Sequence, residues 1–215
     1  MTEEEWLVAT EPKSMLRVVF SLPQRSSRKE RLFVCGSCRR VWHELTSDLA
    51  RSAIAVGEQY ADGEAGESDL YDAVDGVRTL STLSGLLARC AANSAGGGRP
   101  MQVVDVAGQF AASDGATGWD ERKWEAEWLA HCHLLRDIFG NPFRPVTFQA
   151  AWRTSTAIAL ASQMYESREF GAMPILADAL QDAGCDSEDI LNHCRDENAT
   201  HVRGCWVVDL VLGKQ

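Results

Sequence analysis

The stretch RLFVCGSCRRVWHEL, residues 31–45, carries the choice of fold. Taken as RLFV followed by CGSC and a basic segment, it resembles a strand leading to a reactive dithiol at a helix N-terminus. There the helix dipole and nearby arginines lower a thiol pKa. Met173-Pro174-Ile175 would then supply the proline that faces such dithiols in thioredoxin-like folds. Taken as part of one helix over 28–45, the stretch sets Leu32, Cys35, Arg39, Trp42 and Leu45 near one stripe. Two observations favour the helix: no βαβ pattern surrounds CGSC, and Pro174 is far away in sequence. The fold class that follows is all-α.

The rest of the chain agrees with that reading. Short helices are expected at 3–9 and 13–20, separated by Pro12 and ended near Pro23. Ser47 and Asp48 open a helix over 48–61, which stops at Asp62-Gly63. Ser68 caps a long helix to about Ala92, with Leu70, Val74, Val77, Leu80, Leu83 and Leu87 at helical spacing. NSAGGGRP, 93–100, is the clearest break and a candidate lobe boundary within one helical domain spanning 1–215. A short segment, 101–112, and a loop, SDGATG at 113–118, lead to a helix over 119–139 with an apolar stripe of Trp124, Trp128, Cys132, Leu135 and Phe139. FRPV at 143–146 is extended, because residues before proline avoid the α region. Helices are expected over 149–166, from Pro174 to the Gly184 stop, and over EDILNHCR after Asp186 or Ser187. CWVVDLVLG can be strand or helix.

The totals exclude several classes. The net charge of −10 over 215 residues repels phosphate backbones, so nucleic acid is not an expected partner. No run approaches the ~18 apolar residues of a membrane span. MTEEEWLVAT lacks the basic and apolar regions of a secretory signal, so a cytoplasmic location is expected. Seven cysteines, an odd number, fit reduced thiols. Arg25, Arg28, Lys29, Arg31, Arg39 and Arg40 form a basic segment, followed by an acidic one from Asp48 to Asp75. The two can pack as neighbours and compensate each other, or the basic segment can meet an acidic partner.

Zinc needs four donors from thiolate and imidazole, tetrahedrally placed. CGSC offers two at a common spacing, and Cys185, His193, Cys194, His201 and Cys205 cluster near the other end. His201 and Cys205 are four apart, one face of a helix. The candidate metal set is therefore Cys35, Cys38, His193, His201 and Cys205. The competing reading has Cys35 and Cys38 as small core residues. His131-Cys132-His133 is not a three-ligand unit on a helix, because adjacent residues face different ways. No GxSxG, HExxH or defensible Ser-His-Asp order is present. Asp209, inside an apolar run, needs a partner such as Arg203, Arg195 or an arginine of the CRR segment.

HLLRDIFGNPFRP (133–145), MPILADALQDAGC (173–185), ILNHCR (190–195) and HVRGCWVVDLVLGK (201–214) resemble an uncharacterised protein family abundant in planctomycete bacteria. MTEEEWL and RLFVCGSCRRVWH are similar to the same family's opening. The resemblance is weakest between about 46 and 125, and it implies no known activity. Members of that family often carry one more cysteine inside the first motif, where this chain has Gly36 and Ser37, which weakens a metal reading of CGSC.

The function expected is a non-enzymatic interaction or regulatory module with a protein partner, in which CGSCRR docks on the C-terminal motifs, joined by zinc. The alternatives are a hydrolase-like enzyme using a Cys/His-bound metal with an open position, and a plain helical scaffold with no site.

Overall fold

The molecule, a computed structural model, is described over residues 1–93, 98–113 and 118–214. Among these residues there are twelve α-helices, two 3-10 turns and no named strand. RLFVCGSCRR is helical, as expected, and the competing dithiol-strand reading falls away. No helix is long and apolar enough to cross a membrane.

RLFVCGSCRR lies in α3, Ser27–Arg40, which starts where the Ser26 side chain accepts the Lys29 N–H. The expected single stripe is not what forms. Residues from Glu30 through Cys38 are all buried, so α3 is enclosed on every side, as a central helix must be. This explains the small residues in its middle. A Cβ on Gly36 would stand 3.3 Å from both methyl groups of Leu134, and the Ser37 hydroxyl donates to the Phe33 carbonyl (2.8 Å). The helix ends at Arg40, earlier than expected, and a 3-10 turn at Trp42–Glu44 follows. Arg39 covers the Trp42 ring at 3.8 Å there.

Around α3 pack α4 (Asp48–Ala61), α6 (Leu83–Ala92), α7 (Pro100–Ala112) and α8 (Glu121–Phe139), and α2 (Pro12–Ser21) joins the same core against α7 and α8. The helix expected from Ser68 to Ala92 is broken. α5 (Glu67–Gly76) stops, and α6 restarts with Thr82 accepting the Gly85 N–H. Arg89 holds the turn by donating to the carbonyls of Val77 and Leu80, both at 2.9 Å. The apolar periodicity continues across the turn, but a good cap and a side-chain donor for its carbonyls stabilise the break.

A second apolar group is built from α9 (Ser155–Ser167), α10 (Met173–Asp182), α11 (Glu188–Arg195) and α12 (Trp206–Leu212). A third, smaller group lies between α4, α5 and α6. The break between the first two groups therefore falls after α8. Of the glycine-rich stretch 93–100, residues 94–97 lie outside the described residues. The ambiguous CWVVDLVLG is helix. Val207, Val208 and Val211 are buried, and Arg153 satisfies the carbonyls of Leu210 (2.7 Å) and Val211 (2.9 Å). Tertiary packing here overrides a β-leaning composition.

The basic segment meets internal acceptors. Arg39 pairs with Glu58, Arg40 with Glu127 and Arg25 with Glu30. Arg31 donates to the carbonyls of Ala91 and Asn93. Arg28 grips Asp209 with two hydrogen bonds, 2.6 and 3.0 Å, and reaches Asp62 at 3.1 Å. Arg28 is thus the partner Asp209 requires, in place of the expected Arg203, Arg195 or CRR arginines, which pair with Asp62, Asp178, Glu58 and Glu127. Asp62, whose side chain is enclosed, also takes the Tyr165 hydroxyl (2.6 Å) and lies 3.3 Å from both Lys214 and Arg203.

Candidate metal centre

The site grows from Asp137, in the last turn of α8. A carboxylate there opposes the helix dipole, and burial raises its pKa further. Hydrogen bonds from His193 and His201 outweigh both and hold the group below its ordinary value. Its Oδ1 accepts from His201 Nδ1 at 2.8 Å and lies 3.3 Å from His193 Nε2. Its Oδ2 accepts the Val202 N–H at 2.9 Å.

Each partner is fixed by local structure. α11 buries Ile190, Leu191 and Cys194, which leaves His193 on the flank of that face. Residues 201–205 form a turn closed by the Cys205 N–H on the Val202 carbonyl (2.9 Å). Gly204 makes the turn possible. Its φ is +94°, and a Cβ would stand 2.9 Å from Leu32 Cδ1 on α3. Cys205 is then the N-cap of α12, its carbonyl accepting the Asp209 N–H at 2.8 Å. Its thiol is pushed well above the ordinary value by burial first and by the Asp137 charge second, against backbone N–H groups that favour the thiolate.

The four donor atoms of Asp137, His193, His201 and Cys205 lie within 4.8 Å of one another. Four of the separations are 2.8 Å (His201–Asp137), 3.2 Å (His193–Cys205), 3.3 Å (His193–Asp137) and 3.9 Å (His201–Cys205). A tetrahedral ion with bonds of about 2.0–2.3 Å has donor–donor edges of roughly 3.3–3.8 Å, so these values bracket the requirement. Asp137 and Cys205 are buried, the His201 side chain is 6% exposed and that of His193 is 16%. The group could hold a metal ion.

Three of the five sequence-selected donors, His193, His201 and Cys205, are therefore together. Cys35 and Cys38 are not with them, which corrects the expectation that zinc joins CGSC to the C-terminal motifs. Their sulfurs face the carbonyls of Ile54 (3.7 Å) and Leu87 (3.6 Å) inside the main core. Burial pushes both thiols up, and nearby charges from Glu58 and the neighbouring cysteines add to it. α3 does touch the C-terminal turn, through Leu32 against Gly204 rather than through sulfur. The helical i, i+4 reading of His201 and Cys205 also fails: both precede α12, and the turn at Gly204 brings them together. His131 and Cys132 are buried and His133 is exposed, as adjacent positions on a helix require. Asp137 was missed. Its signal was a carboxylate one residue before Ile138 and two after Leu135, inside a buried helical run.

No protein-family model, curated protein or solved structure matches this chain.

Proposed function

We propose that the protein is a non-enzymatic helical module whose C-terminal helices are locked onto α8 by one zinc ion held by Asp137, His193, His201 and Cys205, and that it acts through a protein partner. The observation that carries this reading is the closed donor set. Four protein atoms of types zinc prefers, three of them from α11 and the turn before α12, lie within 4.8 Å of one another, enough to fill a tetrahedral sphere without a water ligand. A closed sphere favours a structural ion, whose binding energy becomes folding energy. Protein purified without a metal-affinity tag is expected to contain about one zinc per chain. Chelation should lower both zinc content and the melting temperature, and Cys205→Ser should do the same. Absence of zinc, with no uptake on titration, would sink the reading.

A second reading, a metal-dependent hydrolase, draws on one further observation: His193 also lines a cavity of about 610 Å³. It requires the ion to carry a water toward that cavity. Cobalt substitution separates the two. A tetrahedral spectrum unchanged by small anions supports the closed site, and a spectrum that shifts with anions supports the open one.

A further inference from the structure

Along the basic segment of α3, each arginine has an internal partner and Lys29 does not. Its backbone N–H donates to Ser26 (3.2 Å), but its ammonium makes no hydrogen bond or ion pair among the described residues. Asp209, which attracts it electrostatically, is already gripped by Arg28. Lys29 is half-buried, and burial pulls its ammonium below the ordinary lysine value. A half-buried cation without a counterion costs free energy, so its surroundings matter.

Lys29 lines the cavity of about 610 Å³, within the range of small-molecule sites. Arg136 lines it as well, and its guanidinium donates only to carbonyls, those of Trp6 and Ala9. The third cation of the wall, Arg144, is matched by Glu3 and Asp189. Two positive charges of the wall are thus uncompensated by a carboxylate in direct contact. Much of the remaining wall is apolar, including Phe139, Val146, Trp206 and Leu210.

Six residues of the GNPFRPV segment, 140–146, all but Phe143, also line the cavity, and the metal centre does not use them. The segment is built to stay in place. Gly140 has φ +65°, and a Cβ there would stand 3.3 Å from the Trp206 ring. Pro142 and Pro145 restrict the backbone. Asn141 accepts the Phe143 N–H (3.0 Å) and donates to Glu3 (2.7 Å). The cavity is therefore a preformed feature of the fold.

We infer that this cavity binds a small monoanionic amphiphile, a carboxylate on an apolar body, with the head group on Lys29 and the body along Trp206 and Phe139. Charge complementarity selects the head group and the apolar wall selects the body. The site stands on its own observations and does not need zinc at Asp137.

The test is calorimetric titration of the full chain with dodecanoate, dodecanol and dodecyltrimethylammonium. Dodecanoate is expected to bind with a Kd of about 100 µM or tighter, with the other two at least about tenfold weaker. Lys29→Met, which keeps the length and removes the charge, should weaken dodecanoate by at least about tenfold, and Lys29→Arg should stay within about threefold. Equal binding of dodecanoate and dodecanol by the unaltered protein overturns the inference without any variant. So does a folded Lys29→Met that binds dodecanoate normally, or a dodecanoate Kd weaker than about 1 mM.

Discussion

Cys35 and Cys38 stand three residues apart on one helix, whereas Asp137, His193, His201 and Cys205 are drawn from α8, α11 and the turn before α12. The first pair has the spacing of a metal motif and the surroundings of a hydrophobe: both sulfurs are sealed between α3, α4 and α6, and among the described residues they belong to no group of metal donors. The second group has no motif spacing and the surroundings of a ligand set, with two imidazoles and a carboxylate around one sulfur. Spacing brings two donors near each other, but what faces them decides whether they can bind an ion.

The comparison breaks most visibly if metal loss is felt equally at both places. If zinc occupies the site as proposed, removing it by chelation or by Cys205→Ser is expected to lower the melting temperature by about 10 °C or more. Cys35→Ala should leave zinc content unchanged. Calorimetric melting with metal analysis checks both, and a Cys35→Ala protein without zinc would reverse the assignment.

Next in size is Asp137→Asn. It removes the acceptor charge for His193 and His201, and its destabilisation is expected at about 3 kcal/mol in urea unfolding of metal-free protein. Cys35→Ala and Cys38→Ala should each cost about 1–2 kcal/mol, through lost packing only, with the same denaturant slope.

A pH series sharpens the contrast further. The Asp137 pKa is lowered by folding, so its stability contribution is present above the unfolded carboxylate value of about 3.9 and is lost as pH falls from there through the lower folded value. Urea midpoints of unaltered and Asp137→Asn protein should therefore converge in acid. Metal affinity should rise by about tenfold per pH unit near neutrality for each proton displaced, because Cys205 must lose a proton that burial and Asp137 hold on. The smallest effect concerns thiol labelling. All seven cysteines are buried, and native protein should react slowly at every one. Chelation should speed Cys205 and leave Cys35 and Cys38 protected.

Much of the fold was legible in helical periodicity and caps: α4 begins and ends where Asp48 and Asp62 indicate, and Ser187 sits at the start of α11. The turn between α5 and α6 was hidden because Val77, Leu80 and Leu83 keep the helical spacing across it. What stabilises the break is the Thr82 cap together with Arg89, a residue further along the chain. At the site, His193, His201 and Cys205 were legible as residue types, but Asp137 was not. A carboxylate on an apolar helix announces that it needs partners without naming them, and these partners follow it by more than fifty positions. The thiols of CGSC misled for the opposite reason: local spacing is visible in a sequence, and enclosure by α4, α6 and α8 is not.

The turn at Gly204 has a consequence for the order of assembly. During synthesis, α8 and everything it packs against in the first apolar group emerge before His193, His201 and Cys205 exist. A nascent chain at that stage carries Asp137 exposed to water with none of the groups that later neutralise it. The turn that carries His201 and Cys205 to Asp137 needs positive φ at residue 204, so Gly204→Ala is expected to slow the closing of that turn in refolding experiments.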